Sequence, residues 1–281
     1  MARTGPGARR RRLGGLLGLG VVAAALWVWS GAEPSGAQGL RFSQLERRSP
    51  EPGLELVTAR LVDGRGGRGR LVALFLDLAR FSVGLRMNPE AAPLEALRGD
   101  ALAIANAGYF TEARQPTGLL VSDHERLHRF VRSAGGAGSG VLTVQGGRVR
   151  LLERDALRAE DVEGVEMAIQ AGPRLIEADG RPGIRSDDGQ RANRTAIGRD
   201  GHGRFVLAVT YADDGGFARG LTLFELQDIL RNQLVRFDPR LGLEVALNLD
   251  GGPSTGLHVE APRIDLPASS RVVSTLVVDR R

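Results

Sequence analysis

Residues 244–256, Glu-Val-Ala-Leu-Asn-Leu-Asp-Gly-Gly-Pro-Ser-Thr-Gly, run from an apolar stretch into polar groups that could do chemistry. The period of two predicts a strand that places its two polar side chains on one face, opposite the aliphatic ones. The two glycines would bring backbone N–H groups close to a ligand, and the hydroxyls suit phosphate or sugar oxygens. The residues in question are Asn248, Asp250, Gly251, Gly252, Ser254 and Thr255. We therefore predict a site at this strand end; the alternative is a hairpin turn capped by hydroxyls.

Residues 252–256, Gly-Pro-Ser-Thr-Gly, also match the G-x-S-x-G nucleophile elbow of serine hydrolases. That elbow turns from a strand into a helix and is followed by an acid and then a histidine. Here Pro262 and Pro267 interrupt the sequel, and His258 is the last histidine of the chain. The context therefore disfavours a serine triad.

The composition indicates an exported globular domain. The chain has 281 residues, 42% of them hydrophobic, which is enough for one domain with a full core behind a leader. Its net charge of +5 equals the five arginines before the first acidic residue, Glu33, so the remainder is neutral and we expect no nucleic-acid partner. The basic start and the apolar run 13–29 predict a signal peptide or signal anchor over residues 1–32. The domain would be periplasmic or extracellular, either free or anchored to the inner membrane by residues 13–29, and it lacks disulfides because the chain has no cysteine.

The remaining pattern predicts one strand-rich domain. Residues 33–53, rich in proline, glycine, serine and charge, are interpreted as a linker, so the domain would span 54–281. Further strands are expected at 54–61, 71–78, 81–87, 101–105, 166–170, 174–177, 195–198, 205–211 and 271–278, with a hairpin over 141–152. The strongest helix signal begins at Thr222, which forms a capping box with Glu225. Few helices among many strands predict an α+β fold, a single mixed-sheet domain.

Six short motifs occur in an order typical of one protein family. They are Asn106–Phe110, Pro116–Leu119, Gln170–Leu175, Arg194–Gly198, Leu221–Leu230 and Asn248–Gly252. In this order they resemble the phosphodiester glycosidase family over roughly residues 54–279, and the closing strand 271–278 also fits. One departure is Pro253, where the family more often has glycine or serine, and proline has no N–H to offer a ligand.

The resemblance implies hydrolysis of the bond between an anomeric carbon and a phosphate. Because the leaving phosphate is charged, such a site needs arginine forks and backbone N–H groups more than a strong general acid. Arg194 would hold the phosphate, and Asp250 would stabilise the sugar cation as a nucleophile or as a base for water. Asn106 completes the candidate catalytic set. The substrate-binding candidates are Asn248, Gly251, Gly252, Ser254, Thr255, Tyr109, Gln170 and Asp213.

Each assignment has a structural alternative. Arg194 could pair with the surface acids Asp187 and Asp188. Tyr109 could belong to the core rather than stack on a sugar, and Gln170 could tie neighbouring loops together.

No cofactor is expected to be required. His124 and His128 have the spacing of two ligands on a helix, but no third ligand lies nearby in the sequence, so no metal site is assigned. A divalent cation that bridges phosphate to an acid such as Asp213 stays open. Two other functions fit the sequence: a non-catalytic glycan-binding or polysaccharide-assembly protein, and a metal-dependent phosphodiesterase that cuts the P–O bond.

Overall fold

The computed structural model describes residues 40–62, 67–213 and 220–281. These residues form seventeen strands in three sheets, with few helical residues. The α+β class with few helices is confirmed. All pairings between the strands of this part of the chain are antiparallel, so the sheets are not mixed in direction.

Within each sheet the order of the strands in space differs from their order in the chain. Across the first sheet, the seven neighbouring strands are β1 (Arg41–Glu51), β2 (Leu54–Val62), β3 (Arg68–Leu76), β13 (Phe205–Ala212), β12 (Arg194–Asp200), β14 (Leu243–Asn248) and β11 (Arg174–Ile176). Across the second, the five are β7 (Glu125–His128), β6 (Leu120–Ser122), β10 (Met167–Ala171), β8 (Gly140–Gln145) and β9 (Arg148–Glu153). Across the third, the five are β16 (Ile264–Leu266), β15 (Leu257–Val259), β5 (Ala103–Asn106), β17 (Val272–Arg280) and β4 (Phe81–Ala92).

Strand β1 lies in the stretch that was predicted to be a linker. It pairs with β2 along its length, and its Leu45 is buried. The linker prediction is therefore wrong over 41–51, and the domain begins before Leu54. The charge and proline that suggested a linker belong to an edge strand, where such residues discourage pairing with other chains.

The predicted leader falls on residues that the structure does not describe. Residues 1–32 and 33–39, which include the apolar run 13–29, lie outside the described residues. In the part of the chain that the structure describes, no helix is long and apolar enough to cross a membrane.

The predicted strands are present with small shifts of their ends. The hairpin of β8 and β9 turns at Gly146 and Gly147, which both have positive φ. Four strands of three or four residues, β6, β7, β15 and β16, were not predicted, because so few residues carry little alternation.

The predicted helix starts as expected and changes its winding midway. It comprises α1 (Leu223–Asp228), a π-helical turn (Ile229–Gln233) and α2 (Leu234–Phe237). The Thr222 hydroxyl accepts the N–H of Glu225 at 3.1 Å, and the Glu225 carboxylate accepts the N–H of Thr222 at 3.0 Å. The structural interpretation of Glu225 as a cap is confirmed. The predicted apolar face is fully buried against the seven-stranded sheet and contains Leu226, Ile229, Leu230 and Leu234.

Strand β14 separates the two main layers of the core. Its Val245 and Leu247, with Leu249 just beyond, pack between the three sheets, whereas Ala246 packs on the helix side. The predicted period of two is confirmed for these residues. Because both faces of β14 are covered, the polar residues at its end are held in a rigid frame.

Candidate active site

Three strand ends meet next to Asp250. Strand β5 ends at Asn106, β14 ends at Asn248, and β12 begins at Arg194. Ala196 of β12 lies opposite Asn248 in the ladder. Because neighbouring antiparallel strands run in opposite directions, the start of β12 and the end of β14 share one edge of the sheet.

Asp250 supplies the carboxylate at this edge. Its Oδ1 accepts the N–H of Gly251 at 2.8 Å, and its own N–H donates to the carbonyl of Ala107 at 3.1 Å. Burial raises the pKa of Asp250 to about 6, against the opposing hydrogen bonds from the Ser254 hydroxyl and the Gly251 N–H. Among the described residues, neither an arginine nor a second carboxylate contributes to this shift. A carboxyl group with this pKa can exchange a proton near neutral pH.

Asn106 holds the backbone of Asp250 in place. Its Nδ2 donates to the Asp250 carbonyl at 2.6 Å, while its Oδ1 accepts the Thr195 hydroxyl at 2.7 Å and the Gly256 N–H at 3.2 Å. The side chain is buried, with 1% of its surface exposed. Asn106 therefore bonds to protein groups and positions Asp250, rather than presenting a free amide to a sugar hydroxyl.

Asn248 and Tyr109 form a hydrogen-bonded pair on the carbonyl of Gly172. The Asn248 Nδ2 donates to the Tyr109 hydroxyl at 2.7 Å and to the Gly172 carbonyl at 3.1 Å, and Tyr109 donates to the same carbonyl at 2.9 Å. The Nδ2 also lies 2.8 Å from the carbonyl of Leu249. The Asn248 Oδ1 is buried and has no hydrogen-bond partner within the described residues. A substrate hydroxyl or a water molecule would satisfy it.

Tyr109 lies within the field of two charges of opposite sign. Burial and the negative charge of Asp250 raise the pKa of Tyr109, whereas the positive charge of Arg194 lowers it. Its hydroxyl therefore stays protonated and continues to donate to Gly172. The expectation that Tyr109 stacks on a sugar has no support in these bonds, which engage the hydroxyl end of the side chain.

Arg194 is held by two carbonyl groups. Its Nε donates to Leu221 at 3.0 Å, and its Nη2 donates to Gln190 at 2.6 Å. Burial lowers its pKa, against the opposing effects of Tyr109 and Asp188. Within the described residues it forms no ion pair at contact distance, although the charge of Asp188 acts on it, and its Nη1 has no hydrogen-bond partner there.

The backbone N–H groups of the glycine loop all bond within the protein. The N–H of Gly251 is used by Asp250, and the N–H of Gly252 donates to the carbonyl of Asn193 at 2.8 Å. Gly252 has φ of +61°, which favours glycine. The N–H groups of the next residues also donate within the protein; they belong to Ser254, Thr255 and Gly256. The expectation that this loop offers free backbone donors is therefore wrong in this conformation.

The hydroxyls of the loop differ in their surroundings. The Ser254 hydroxyl interacts with the Asp250 carboxylate and lies 3.4 Å from that of Ser270. The Thr255 hydroxyl is buried and has no partner within the described residues. A Cβ added at Gly251 would lie 3.9 Å from this hydroxyl and 3.8 Å from Cδ of Arg194, so the three residues are close together.

Gln170 ties loops together, as its structural alternative stated. Its Oε1 accepts the N–H groups of Leu119 and Val131, both at 3.0 Å. Its Nε2 donates to the carbonyls of Val131 at 2.7 Å and Gly138 at 3.0 Å. All four hydrogen-bonding positions are occupied, so the amide has none left for a substrate.

Asp213 forms an ion pair at the end of β13. Its Oδ1 lies 2.9 Å from Nε of Arg70, and its backbone N–H donates to the carbonyl of Arg68. No contact connects it to Asp250 in the described part of the chain. Residues 214–219, which complete this loop, lie outside the described residues.

The residues of the elbow pattern form no triad. Gly252–Ser254 is a single 3-10 turn that leads into β15, not into a helix. Nδ1 of His258 lies 2.5 Å from Oδ1 of Asp265, and its Nε2 lies 3.1 Å from Nη1 of Arg98. Neither ring nitrogen is bonded to Ser254.

The histidine pair is not helical. His124 lies in a turn with positive φ, and His128 ends β7. Each ring bonds to a carbonyl, that of Gly164 at 2.9 Å and that of Gly118 at 2.8 Å respectively. No group of three potential metal-binding side chains occurs among residues 40–62, 67–213 and 220–281.

Three residues at the site were not predicted. Thr195 binds Asn106, Asn193 receives the N–H of Gly252, and Gly172 receives the Tyr109 hydroxyl. Asn193 and Thr195 are buried polar residues on either side of Arg194, and their position next to this candidate arginine was an available signal. Gly172 acts through its backbone carbonyl. Because every residue has such a carbonyl, the residue type gave no signal for this role.

Comparisons with known proteins show the family and the fold of this chain. A model of the phosphodiester glycosidase family matches residues 99–278. The fold is similar to the zebrafish N-acetylglucosamine-1-phosphodiester alpha-N-acetylglucosaminidase catalytic domain, with a TM-score of 0.59 and 18% identity over 88% of this chain and 90% of that one. A hypothetical protein from Synechocystis is similar with a TM-score of 0.55 and 19% identity, over 84% of this chain and 64% of that one. No curated protein sequence gives a significant match.

Proposed function

This chain belongs to the phosphodiester glycosidase family, and we propose that it hydrolyses the bond between C1 of a sugar and phosphate in glycosyl-1-phosphodiesters, releasing sugar and phosphomonoester. We further propose that it acts outside the cytoplasm on envelope or extracellular glycans, exported through residues 1–32. No cofactor is required in this proposal.

One observation carries the reaction class. Among the described residues, Asp250 is a buried carboxylate whose pKa is not lowered by an arginine, and Arg194 is a half-buried cation without an ion-pair partner. The charges of Asp250 and Arg194 both act on the pKa of Tyr109, so both side chains lie near Tyr109 at one site. A glycosidase that expels an alkoxide needs a second carboxyl group as general acid. A phosphomonoester leaves as a stable anion, so a single carboxylate and an arginine meet the needs of this reaction.

The chain's own residues then divide the work. Arg194 binds the phosphate oxygens through its free Nη1, since the glycine loop has no free N–H group in this conformation. Asp250, ionised above its pKa of about 6, attacks C1 or takes a proton from the attacking water. Asn106 fixes the main chain of Asp250, and the Ser254 hydroxyl favours the ionised carboxylate.

The test uses the full-length protein in a nonionic detergent. It is incubated in oxygen-18 water with N-acetylglucosamine-1-phospho-sugar and glucose-1-phospho-sugar diesters, and both products are analysed by mass spectrometry. The name of the zebrafish relative makes N-acetylglucosamine the first sugar to try. Label in the free sugar is the expected result. Label in the phosphate together with loss of activity in a chelator would assign the metal-dependent phosphodiesterase alternative, and binding without turnover would assign the glycan-binding one.

A further inference from the structure

We propose that the segment of residues 130–139, fixed by Gln170, forms the sugar-binding side of the site, opposite the phosphate-binding side at Arg194. The inference rests on the proposed function and adds an orientation of the substrate. It assigns a binding role to a segment that contains none of the predicted site residues.

The order of strands gives the site two sides. Arg194 begins β12, and β12 pairs with β14 on one side. On its other side β14 pairs with β11, and the N–H of Asn248 donates to the carbonyl of Pro173 at 3.1 Å. The end of β14 therefore lies between Arg194 and the Gly172–Pro173 connection. If Arg194 holds the phosphate and Asp250 acts at C1, the sugar extends toward Gly172.

Gly172 connects the site to residues 130–139. Its carbonyl accepts the hydroxyl of Tyr109 and the amide of Asn248. Its Cα faces the segment: an added Cβ would clash with the carbonyl oxygen of Gly136 and lie 2.7 Å from Oγ of Ser139. The segment is therefore in direct contact with the backbone that holds Tyr109 and Asn248.

Gln170 fixes this contact. Its amide bonds Val131 through both main-chain groups and Gly138 through its carbonyl. Nη1 of Arg154 donates to the backbone carbonyl of Gly135 at 2.9 Å, and Nη1 of Arg174 donates to the backbone carbonyl of Ser139. These bonds hold the segment at both ends, so its middle has a defined position beside the site.

The middle of the segment leaves room for a ligand. Residues 133–138, Ser-Ala-Gly-Gly-Ala-Gly, have small side chains, and a Cβ added at Gly136 would meet no atom within 4 Å. Small residues let a sugar approach the main-chain donors and acceptors closely. Cζ of Arg132 lies 5.7 Å from the ring centre of Phe130. At the start of the segment, Arg132 thus supplies a polar edge and Phe130 an apolar surface.

The experiment tests the two sides of the site separately, by using each of the two products as an inhibitor. The inhibition constants of N-acetylglucosamine and of methyl phosphate are measured in the full-length protein with N-acetylglucosamine-1-(methyl phosphate) as substrate. Gly136→Val fills the open space at a position whose φ is not positive, so the fold should tolerate it. Gln170→Glu removes the two donated bonds and places a carboxylate beside two carbonyls.

Both variants should raise the inhibition constant of the sugar at least tenfold and leave that of methyl phosphate within twofold. The matched controls should change neither. Gly201→Val lies in the turn after β12 at the opposite edge, where an added Cβ would lie 3.5 Å from Glu244. Gln227→Glu alters another buried glutamine that binds both main-chain groups of one residue, Ile184.

An unchanged sugar constant in Gly136→Val, or equal rises for both products, would overturn the orientation. If the wild-type protein cleaves no diester, the proposed function fails by itself. In that case the dissociation constants of N-acetylglucosamine and methyl phosphate, measured by ligand-observed NMR in the same variants, decide the orientation. Absence of sugar binding to the wild-type protein would then refute it.

Discussion

Asp250→Asn should abolish turnover and make the folded protein more stable at alkaline pH. Burial raises the pKa of Asp250 from 3.8 to about 6, which corresponds to about 3 kcal/mol of unfavourable free energy for its ionisation in the folded state. Asparagine has no charge to bury, and its Oδ1 can still accept from the Gly251 N–H and the Ser254 hydroxyl. The variant should therefore recover part of this free energy, about 1 to 3 kcal/mol.

The sign of the pH dependence follows from the raised pKa. Below about pH 4 the carboxyl group is protonated in both the folded and the unfolded state, so it does not penalise folding. Between about pH 4 and 6 the folded state binds more protons than the unfolded state, and the free energy of unfolding of the wild type falls as the pH rises. The stability of Asp250→Asn lacks this contribution. The difference between the two proteins should thus grow across this window and remain constant above it.

Urea denaturation of both proteins at pH 4, 5, 6 and 8 measures this difference, with circular dichroism as the probe. Asp238→Asn serves as a control that should lower the free energy of unfolding instead of raising it. A hydrogen bond from Arg240 lowers the pKa of Asp238 to about 2, so its ionised form stabilises the folded state. A difference for Asp250→Asn that is independent of pH, or a loss of stability at pH 8, would refute the account of its environment. Near-normal turnover in the variant would remove Asp250 from the mechanism.

Three further results are expected. In the wild type, kcat/KM should fall below about pH 6. Ser254→Ala should move this fall to higher pH, because the hydroxyl that is removed lowers the pKa of Asp250. A pH profile that does not move would contradict this role of Ser254. Arg194→Gln should reduce kcat/KM by about 10- to 100-fold, the loss of a charge-assisted hydrogen bond, with an unchanged circular dichroism spectrum; wild-type kinetics would exclude it as the phosphate ligand. Thr222→Ala should lower the free energy of unfolding, measured by urea denaturation, by about 1 kcal/mol without affecting kcat, since the lost hydroxyl caps the helix at the N–H of Glu225.

The strands were predictable where alternation or apolar runs were long. The residues of β14, β13 and the capped helix carry strong periodic signals, and the structure follows them. Strand β1 was missed because an exposed edge strand has the charge and proline of a linker. The three-residue β15 and β16 were missed because their pairing depends on partners distant in the sequence, such as β5.

The site was predictable in its members but not in their bonds. The sequence brings Asn106, Arg194 and Asp250 into one candidate set, and the structure places them at neighbouring strand ends. Asn106 was predicted to belong to the catalytic set, but its amide bonds to the Asp250 carbonyl and the Thr195 hydroxyl and so acts by positioning Asp250. Asn106 ends a strand of the third sheet, whereas Thr195 lies in the first, and only the packing of the two sheets decides which polar groups the amide meets.

The greatest difference between the prediction and the structure concerns which groups could bind the phosphate. A glycine pair followed by hydroxyls predicts a loop of free N–H groups, yet the Gly251 N–H binds the Asp250 carboxylate and the Gly252 N–H binds a carbonyl. These bonds help to keep a buried carboxylate in one position at a pKa of about 6. A loop whose N–H groups all bond within the protein has none of them left for an anion, so we expect the positive charge to come from another strand. Arg194 at the start of β12 meets this requirement, because two carbonyls fix its guanidinium and it forms no ion pair within the described residues.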